Sequence, residues 1–304
     1  MNINREWVKP NCQLSTVNRQ LSTTKLLHMK KTFLALVLTM FGFFALHAQQ
    51  YQLTRIWETD STLKVPESVL FDGKNDLLYV SNIDGDSGAK DGKGSIGKVG
   101  LDGKVIQAEW VTGLHAPKGM ALYKGDLYVA DVDAVVVIDT KSGAISKRIP
   151  VEGAVFLNDL SINKNGVVYV SDSRASKVHK IEKGTPSLFL ENLKGPNGVL
   201  VQGKDLYVLN SGELLKVGRD KNIVKVAEGL ESRTDGIENV KGKDFIVSCW
   251  SGVVYYVNAD GTHQQLLDTR EQKINSADIG YDRKKRIVYV PTFFRNTVVA
   301  YQLN

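Results

Sequence analysis

The sequence is poor in cysteine. Only two of its 304 residues are cysteines, Cys12 and Cys249. Cys12 lies in an N-terminal segment that we exclude from the folded domain, so Cys249 stands alone and no intramolecular disulfide is predicted. We interpret Cys249, which sits in a strand-like run, as a small buried apolar residue rather than a reactive thiol.

Long apolar runs are also lacking, and the longest spans residues 33–46. A membrane-spanning helix needs about twenty apolar residues, so this run favours a signal peptide over a span. Met29-Lys30-Lys31 precedes the run and small residues, Ala45-Leu-His-Ala48, end it, as in secretory signals. No cysteine follows, which argues against a lipoprotein anchor.

We therefore predict three segments. Residues 1–28 are a mis-assigned start or a disordered extension, residues 29–48 are a signal peptide, and residues 49–304 form the mature domain. The mature chain is expected to have no membrane span and to be periplasmic or secreted.

The mature chain has little excess of positive charge. The formal net charge of +6 includes 39 Lys and Arg against 33 Asp and Glu. Six of the basic residues but one of the acidic residues lie in residues 1–48, which leaves 33 and 32. A nucleic-acid partner is therefore not expected, because phosphate binding needs a basic surface on the mature protein.

Helical periodicity is absent from the mature chain, which argues against helical repeats and βαβ folds. An apolar run with a central aromatic or Ile recurs six times instead, as LLYVSN, DLYVAD, VVYVSD, DLYVLN, DFIVSC and IVYVPT. The third positions are 49, 41, 38, 39 and 43 residues apart. This period is typical of four-stranded blades, so we predict an all-β fold, a six-bladed β-propeller.

The sixth copy ends too early to supply a fourth strand. A strand-like segment at residues 51–59 opens the mature chain and has no copy of its own. Pairing it into the last blade would close the ring and remove an exposed sheet edge. A ring closed in this way is expected to be a monomer.

The residues that begin the inner strands of a propeller surround one mouth of its central channel. The corresponding pairs in the six copies are Pro66-Glu67, Pro117-Lys118, Leu157-Asn158, Pro196-Asn197, Thr234-Asp235 and Ser276-Ala277. Four of them offer an oxygen ligand. In the sixth copy Asp278 follows one place later, and strand alternation predicts that it lies on the opposite face.

These motifs resemble the senescence marker protein/gluconolactonase family, also called regucalcin-like proteins, over the whole mature chain. The motifs that support this resemblance are Gly195-Pro196-Asn197-Gly198, Thr234-Asp235-Gly236, Asn158-Asp159 and Glu67. The resemblance implies a six-bladed propeller that hydrolyses a lactone. It also implies that Glu67, Asn158, Asn197 and Asp235 bind one divalent cation and that Asp235 accepts a proton.

An all-oxygen ligand set suits calcium first, with magnesium or manganese as alternatives and zinc less well matched. Such a cation could polarise a lactone carbonyl while Asp235 acts as the base. We expect a small-molecule substrate, with Lys118, His115 and Asn158 as candidate substrate contacts.

Lys118 keeps a second class of function open, because an ammonium would repel a cation or compete for its carboxylates. A non-catalytic propeller that binds a sugar, peptide or protein partner would tolerate Lys118. A strictosidine-synthase-like or other lyase on the same fold is a third reading, and fold alone does not decide among them. The acidic segment 84–94 has Ser95 where an EF-hand loop has its twelfth-position Glu, so we interpret it as a loop, with a lid over the channel as one role.

Overall fold

The computed structural model describes residues 50–304, which form six four-stranded antiparallel sheets. We number the sheets as blades 1 to 6. Blade 1 contains β2 (Pro66–Asp72), β3 (Leu77–Asn82), β4 (Gly94–Gly100) and β5 (Val105–Leu114). Blade 2 contains β6 (Pro117–Tyr123), β7 (Asp126–Asp131), β8 (Ala134–Asp139) and β9 (Ile145–Pro150). Blade 3 contains β10 (Leu157–Ile162), β11 (Val168–Asp172), β12 (Lys177–Glu182) and β13 (Thr185–Leu190).

The remaining blades follow the same order. Blade 4 contains β14 (Pro196–Gln202), β15 (Asp205–Asn210), β16 (Leu214–Val217) and β17 (Ile223–Ala227). Blade 5 contains β18 (Thr234–Lys241), β19 (Asp244–Cys249), β20 (Val253–Val257) and β21 (His263–Asp268). Blade 6 contains β22 (Gly280–Asp282), β23 (Ile287–Pro291), β24 (Val298–Leu303) and β1 (Leu53–Glu58). The predicted six-bladed propeller is confirmed.

The six recurring runs are the second strands of the blades, and they carry the core. Apolar side chains from neighbouring blades form a cluster in each of the six gaps, such as Leu127 with Tyr79 between blades 1 and 2. The gap between blades 6 and 1 is filled in the same way, by Val80 and Tyr289 among others. Burial on both faces explains why these runs read as continuous apolar segments rather than alternating ones.

The N-terminal strand closes the ring as predicted. β1 pairs antiparallel with β24, so blade 6 takes its outer strand from the opposite end of the described chain. The Trp57 indole then donates a hydrogen bond to the carbonyl oxygen of Leu101 in blade 1, at 2.9 Å. This contact joins the closing strand to the next blade.

Polar residues at the ends of the second strands position the channel mouth. Asp131 ends β7, and its carboxylate accepts the backbone N–H groups of His115 and Ala116, just ahead of β6. Asp172 does the same for Val155 and Phe156 ahead of β10. The repeated Asn or Asp therefore anchors the loop that leads into the inner strand.

The predicted signal peptide and N-terminal extension lie outside the described residues. Within residues 50–304, no helix is long and apolar enough to cross a membrane. Cys249 is fully buried, as its apolar surroundings in β19 predicted.

Candidate functional site at the channel mouth

A β-bulge at the start of the inner strand presents each candidate side chain in blades 1 to 5. The strand register shifts between Pro66 and Ser68, Pro117 and Met120, Leu157 and Leu160, Pro196 and Val199, and Thr234 and Ile237. The residues inside these shifts include Glu67, Lys118, Asn158, Asn197 and Asp235. A bulge leaves a residue unpaired and redirects its side chain, which explains how five inner strands present a polar residue at one mouth.

In three of the bulges, a serine hydroxyl of the second strand accepts a hydrogen bond from a backbone N–H group. Ser248 accepts the Gly236 N–H at 2.9 Å and donates to the Ala277 carbonyl oxygen at 2.7 Å. Ser81 and Ser171 accept the corresponding N–H groups of Ser68 and Asp159. Buried backbone groups rarely go unpaired, so these serines stabilise the irregular backbone that holds the site.

The five polar residues line one cavity of about 410 Å³. The structure thus brings together Glu67, Lys118, Asn158, Asn197 and Asp235, all predicted from the sequence. All but Asn197, which is half-buried, are buried. A cavity of this size suits a small-molecule ligand.

Asn197 and Asp235 are in direct contact across blades 4 and 5. The Asn197 amide Nδ2 donates to Asp235 Oδ1 at 2.9 Å. Asn197 Oδ1 and Glu67 Oε2 are buried and have no hydrogen-bond partner among the described residues. Buried acceptors are normally paired, so two unpaired oxygens in one cavity point to a missing partner that carries positive charge or a proton.

Asn158 is held by a short chain of hydrogen bonds. Its Nδ2 donates to Ser173 Oγ at 3.0 Å, and that hydroxyl donates to the Pro196 carbonyl oxygen at 2.6 Å. The amide nitrogen is therefore engaged with Ser173, and the Oδ1 atom is the part of Asn158 left to act as a ligand or substrate contact.

Lys118 is almost fully buried, at 1% exposure, and it points into the mouth rather than to solvent. Its Nζ donates to the Ala116 carbonyl oxygen at 2.8 Å and lies 4.3 Å from the centre of the Phe156 ring. Burial lowers the pKa of Lys118 to about 8, while the charge of Glu67 opposes this effect. The positive charge of Lys118 in turn lowers the pKa of Glu67.

Burial dominates the titration of the acids. It raises the pKa of Glu67 well above the usual value, and the charges of Asp235 and Asp278 add to the effect. The pKa of Asp235 is raised by burial and then by Asp278, against the hydrogen bond from Asn197. These carboxylates repel one another, and a bound cation would relieve that repulsion.

Asp278 is not among the described residues that line the mouth cavity, in agreement with the expectation that it lies on the opposite face, but it is buried and acts on the site through its charge. Its Oδ2 accepts a hydrogen bond from Ser68 Oγ at 2.5 Å, and its charge acts on Glu67, Asp159 and Asp235. β22 begins only at Gly280, so Asp278 lies in the segment just before this strand. A parallel backbone bridge pairs this segment with blade 1, between Asp278 and Ser68.

The residues at the mouth fit a hard cation only if carboxylate and amide oxygens bind it together. Within residues 50–304, no group of three or more His, Cys, Asp or Glu side chains is arranged to hold a metal ion. A cation at the mouth would therefore need the amide oxygens of Asn197 and Asn158 in addition to Glu67 and Asp235. The unpaired Glu67 Oε2 and Asn197 Oδ1 make this combination compatible with calcium chemistry.

His115 and the acidic loop lie near the mouth in different ways. His115 lies just before β6 and is not among the residues that line the cavity in the described part of the chain, so its substrate contact stays a prediction. The loop at residues 84–94 does reach the cavity, where Ser87 contributes to the lining. An ion pair between Lys90 and Asp133 connects this loop to blade 2.

Sequence reasoning missed the aromatic part of the cavity. Phe156, Trp250, Phe293 and Phe294 line it beside the polar residues. Trp250 directly follows β19, at the repeat position that also contributes Ile83, Ser173 and Ser211 to the lining. This position, one residue beyond the second strand, is the sequence signal that could have identified Trp250.

The fold and site define a six-bladed propeller with a polar, partly aromatic cavity at one channel mouth. No protein-family model matches the chain, and no curated protein matches it. Solved structures do match. A catalytically inactive variant of virginiamycin B lyase from Staphylococcus aureus, determined with quinupristin, has a TM-score of 0.60 and 12% identity. The match covers 84% of this chain and 100% of that chain.

Two further structures are similar to the same extent. A streptogramin B lyase has a TM-score of 0.62 and 10% identity over 84% of this chain and 98% of its own. A protein provisionally assigned as a gluconolactonase has a TM-score of 0.62 and 14% identity over 84% and 93% of the two chains. At these identities the likeness establishes the propeller fold, and the fold alone does not determine the reaction.

Proposed function

We propose that the protein is a metal-dependent hydrolase of a lactone or a similar small ester, with one divalent cation, calcium by preference, at the channel mouth. The observation that carries this proposal is the pair of unpaired buried oxygens, Glu67 Oε2 and Asn197 Oδ1, beside Asp235 in one cavity. Glu67, Asn158, Asn197 and Asp235 would hold the cation. The similarity to a protein provisionally assigned as a gluconolactonase is consistent with this chemistry.

When bound, the cation would polarise the carbonyl of the ester. The side chain of Asp235 takes a proton from the attacking water as the new C–O bond forms at the carbonyl carbon. The ring C–O bond then breaks, and the proton passes to the leaving oxygen, which gives a hydroxy acid. Burial and the charge of Asp278 raise the pKa of Asp235, and the positive charge of a bound cation would lower it again, so that the carboxylate could be ionised and accept the proton.

Hydrolysis of γ-butyrolactone, δ-valerolactone and glucono-δ-lactone tests the proposal directly. We expect turnover by the purified protein, loss of turnover in EDTA, and recovery with Ca²⁺, Mg²⁺, Mn²⁺ or Zn²⁺. Asp235→Asn should lower kcat by about 100-fold or more, because general-base catalysis contributes at least this much. Calorimetric titration with Ca²⁺ measures the cation site independently of turnover.

Asp76→Asn is a matched control, because Asp76 is exposed in the turn between β2 and β3 and has the left-handed backbone that asparagine tolerates. Its turnover should equal that of the unmodified protein. Hydrolysis that survives both EDTA and Asp235→Asn would overturn the proposed mechanism, and the absence of hydrolysis with every cation would overturn the proposed activity.

A second candidate function is favoured by Lys118, because a buried ammonium in the cavity can bind an anion without a metal. In this case the propeller would be a binding module for a sugar acid or an acidic partner. Gluconate is a suitable probe. Binding of gluconate in EDTA that is lost in Lys118→Met, together with no hydrolysis, would replace the hydrolase with this function.

The predicted signal peptide extends the proposal to location, since a chain carrying residues 29–48 as a signal would act in the periplasm or outside the cell. We further infer a monomer with a small-molecule substrate. Cell fractionation and N-terminal sequencing of the exported protein test the location, and a new N-terminus at Gln49 is expected.

A further inference from the structure

Three aromatic rings stand at right angles to one another on one side of the mouth cavity. Trp250 follows β19, and Phe293 and Phe294 lie in the 3₁₀ turn between β23 and β24. The rings of Trp250 and Phe293 are 5.6 Å apart at 79°, and those of Trp250 and Phe294 are 6.1 Å apart at 83°. Phe293 and Phe294 meet at 4.7 Å and 90°. We name these three residues the aromatic corner.

The backbone that carries the corner is held in an unfavourable conformation. Phe293 has a φ of 51°, in the left-handed region that bulky residues rarely adopt. Hydrogen bonds at the base of the turn fix it, since Thr292 Oγ1 donates to the Thr297 carbonyl oxygen at 2.8 Å. Asn296 Oδ1 also accepts the Val65 N–H at 3.0 Å, which ties the turn to blade 1. Strain maintained in this way concentrates at functional sites.

Phe294 is left facing solvent at the rim. Its relative exposure is 66%, whereas Phe293 beside it is 8% exposed and packs into the core. Both rings line the cavity, so a ligand there would cover the exposed ring of Phe294. Burying that ring against an apolar group of the ligand would favour binding.

We propose that the aromatic corner binds an alkyl or aryl substituent of the substrate, so that the site selects apolar-substituted lactones or esters over polyhydroxylated sugar lactones. The catalytic part of this statement rests on the proposed hydrolase function. Sugar rings bind best to one flat aromatic face, whereas these three rings pack edge to face against one another and present an uneven apolar surface that suits a rounded apolar group. The Arg233 guanidinium lies 5.2 Å from the Trp250 ring centre, which further restricts access to that ring. Neither phenyl ring offers a hydrogen bond to a sugar hydroxyl.

Binding of unreactive γ-lactams tests the corner without relying on turnover. The probes carry methyl, propyl or pentyl groups at the ring carbon next to nitrogen, with polyhydroxylated gluconolactam as the contrasting ligand. Affinity measured by calorimetry should rise with chain length, up to about fourfold for each methylene that becomes buried. Phe294→Ala should reduce this gain, Phe294→Leu should retain most of it, and Ile106→Ala should leave it unchanged. Ile106 is a matched control because it is 61% exposed on β5 in blade 1.

The matching γ-lactones, assayed for hydrolysis, separate the two proposals. Affinity for the lactams that rises with chain length supports the corner even if no lactone is hydrolysed, and that result would end the hydrolase proposal alone. Metal-dependent hydrolysis combined with lactam affinity independent of chain length would overturn the corner and leave the hydrolase standing. Tighter binding of gluconolactam than of the pentyl lactam, or no lactam binding, would also overturn the corner.

Discussion

The Asn197 amide in blade 4 donates a hydrogen bond to the Asp235 carboxylate in blade 5, at 2.9 Å between Nδ2 and Oδ1. This bond joins two inner strands at the channel mouth and partly offsets the cost of burying Asp235. It also turns Asn197 Oδ1 away from the carboxylate, where that oxygen is buried without a partner. The hydrogen bond occupies Asn197 Nδ2 and Asp235 Oδ1, so in the proposed cation site Asn197 Oδ1 and Asp235 Oδ2 would be the ligand atoms.

Replacing this amide with a carboxylate should make stability depend on a cation. Asn197→Asp removes the hydrogen bond and adds a like charge beside Asp235, so we expect the free energy of unfolding in EDTA to fall by about 2 kcal/mol at pH 7.5. Added Ca²⁺ should recover much of the loss, because the additional carboxylate strengthens an oxygen site. Urea unfolding with EDTA or CaCl₂ measures both effects.

The exposed residue Asn222 provides the control, since Asn222→Asp should change neither stability nor the response to Ca²⁺. If Asn197→Asp were as destabilised in CaCl₂ as in EDTA, a cation between Asn197 and Asp235 would be ruled out. Loss of the hydrogen bond between Asn197 and Asp235 would still explain why the variant is less stable.

The bulge in blade 5 should depend on a single hydroxyl. Ser248→Ala removes the partner of both the Gly236 N–H and the Ala277 carbonyl, which are buried, so we expect a loss of about 2 kcal/mol in the free energy of unfolding. Ser187→Ala, at an exposed position, should change it by less than about 0.5 kcal/mol. Equal effects of the two substitutions would contradict the role of Ser248 in the bulge.

The fold was predictable because the recurring apolar pattern in the sequence coincides with the second strand of each blade. Each run is buried between two blades, so packing demands apolar residues there in all six copies, and Tyr79 and Tyr289 mark equivalent positions. The closing strand was predicted from the number of strands, because the sixth copy had only three and the strand-like segment 51–59 belonged to no copy. Both inferences use long apolar patterns, which are the strongest signals in a sequence.

The site was only partly predictable, because its geometry depends on irregular backbone. The phase of the repeat identified Glu67, Asn197 and Asp235, but it gave no sign of the contact between Ser68 and Asp278, which precedes β22. The aromatic corner was missed because Phe293 adopts a left-handed backbone that no local preference of phenylalanine indicates.

Glu238 should make the protein more stable in acid than in mild base. It lies on β18, where burial and then the charge of Asp278 raise its pKa from a usual 4.5 to about 8. The folded state therefore holds a proton that the unfolded state releases. The stabilisation that this proton gives to the folded state is complete below about pH 4.5 and is lost as the pH rises through 8. Glu238→Gln should flatten that slope and raise stability at pH 8.5 by about 2 kcal/mol.

Urea unfolding at half-unit steps from pH 5 to 9, in EDTA, provides the measurement for Glu238. The exposed Glu152 is the matched control, and Glu152→Gln should leave the profile as it is. A Glu238→Gln profile parallel to that of the unmodified protein would show that other groups set the pH dependence.

Closure of the ring should depend on Trp57 far more than on its neighbour in β1. The Trp57 indole donates to Leu101 in blade 1 and lies 5.8 Å from the ring of Tyr289 in blade 6, so it bridges the first and last blades. Trp57→Ala removes both contacts and leaves a gap between the blades, which should lower the free energy of unfolding by about 3 kcal/mol. Ile56 is 47% exposed on the same strand, so Ile56→Ala should cost less than about 0.5 kcal/mol. Chemical denaturation of the two variants side by side measures this difference. Equal free energies of unfolding for both variants would mean that β1 does not close the propeller in solution.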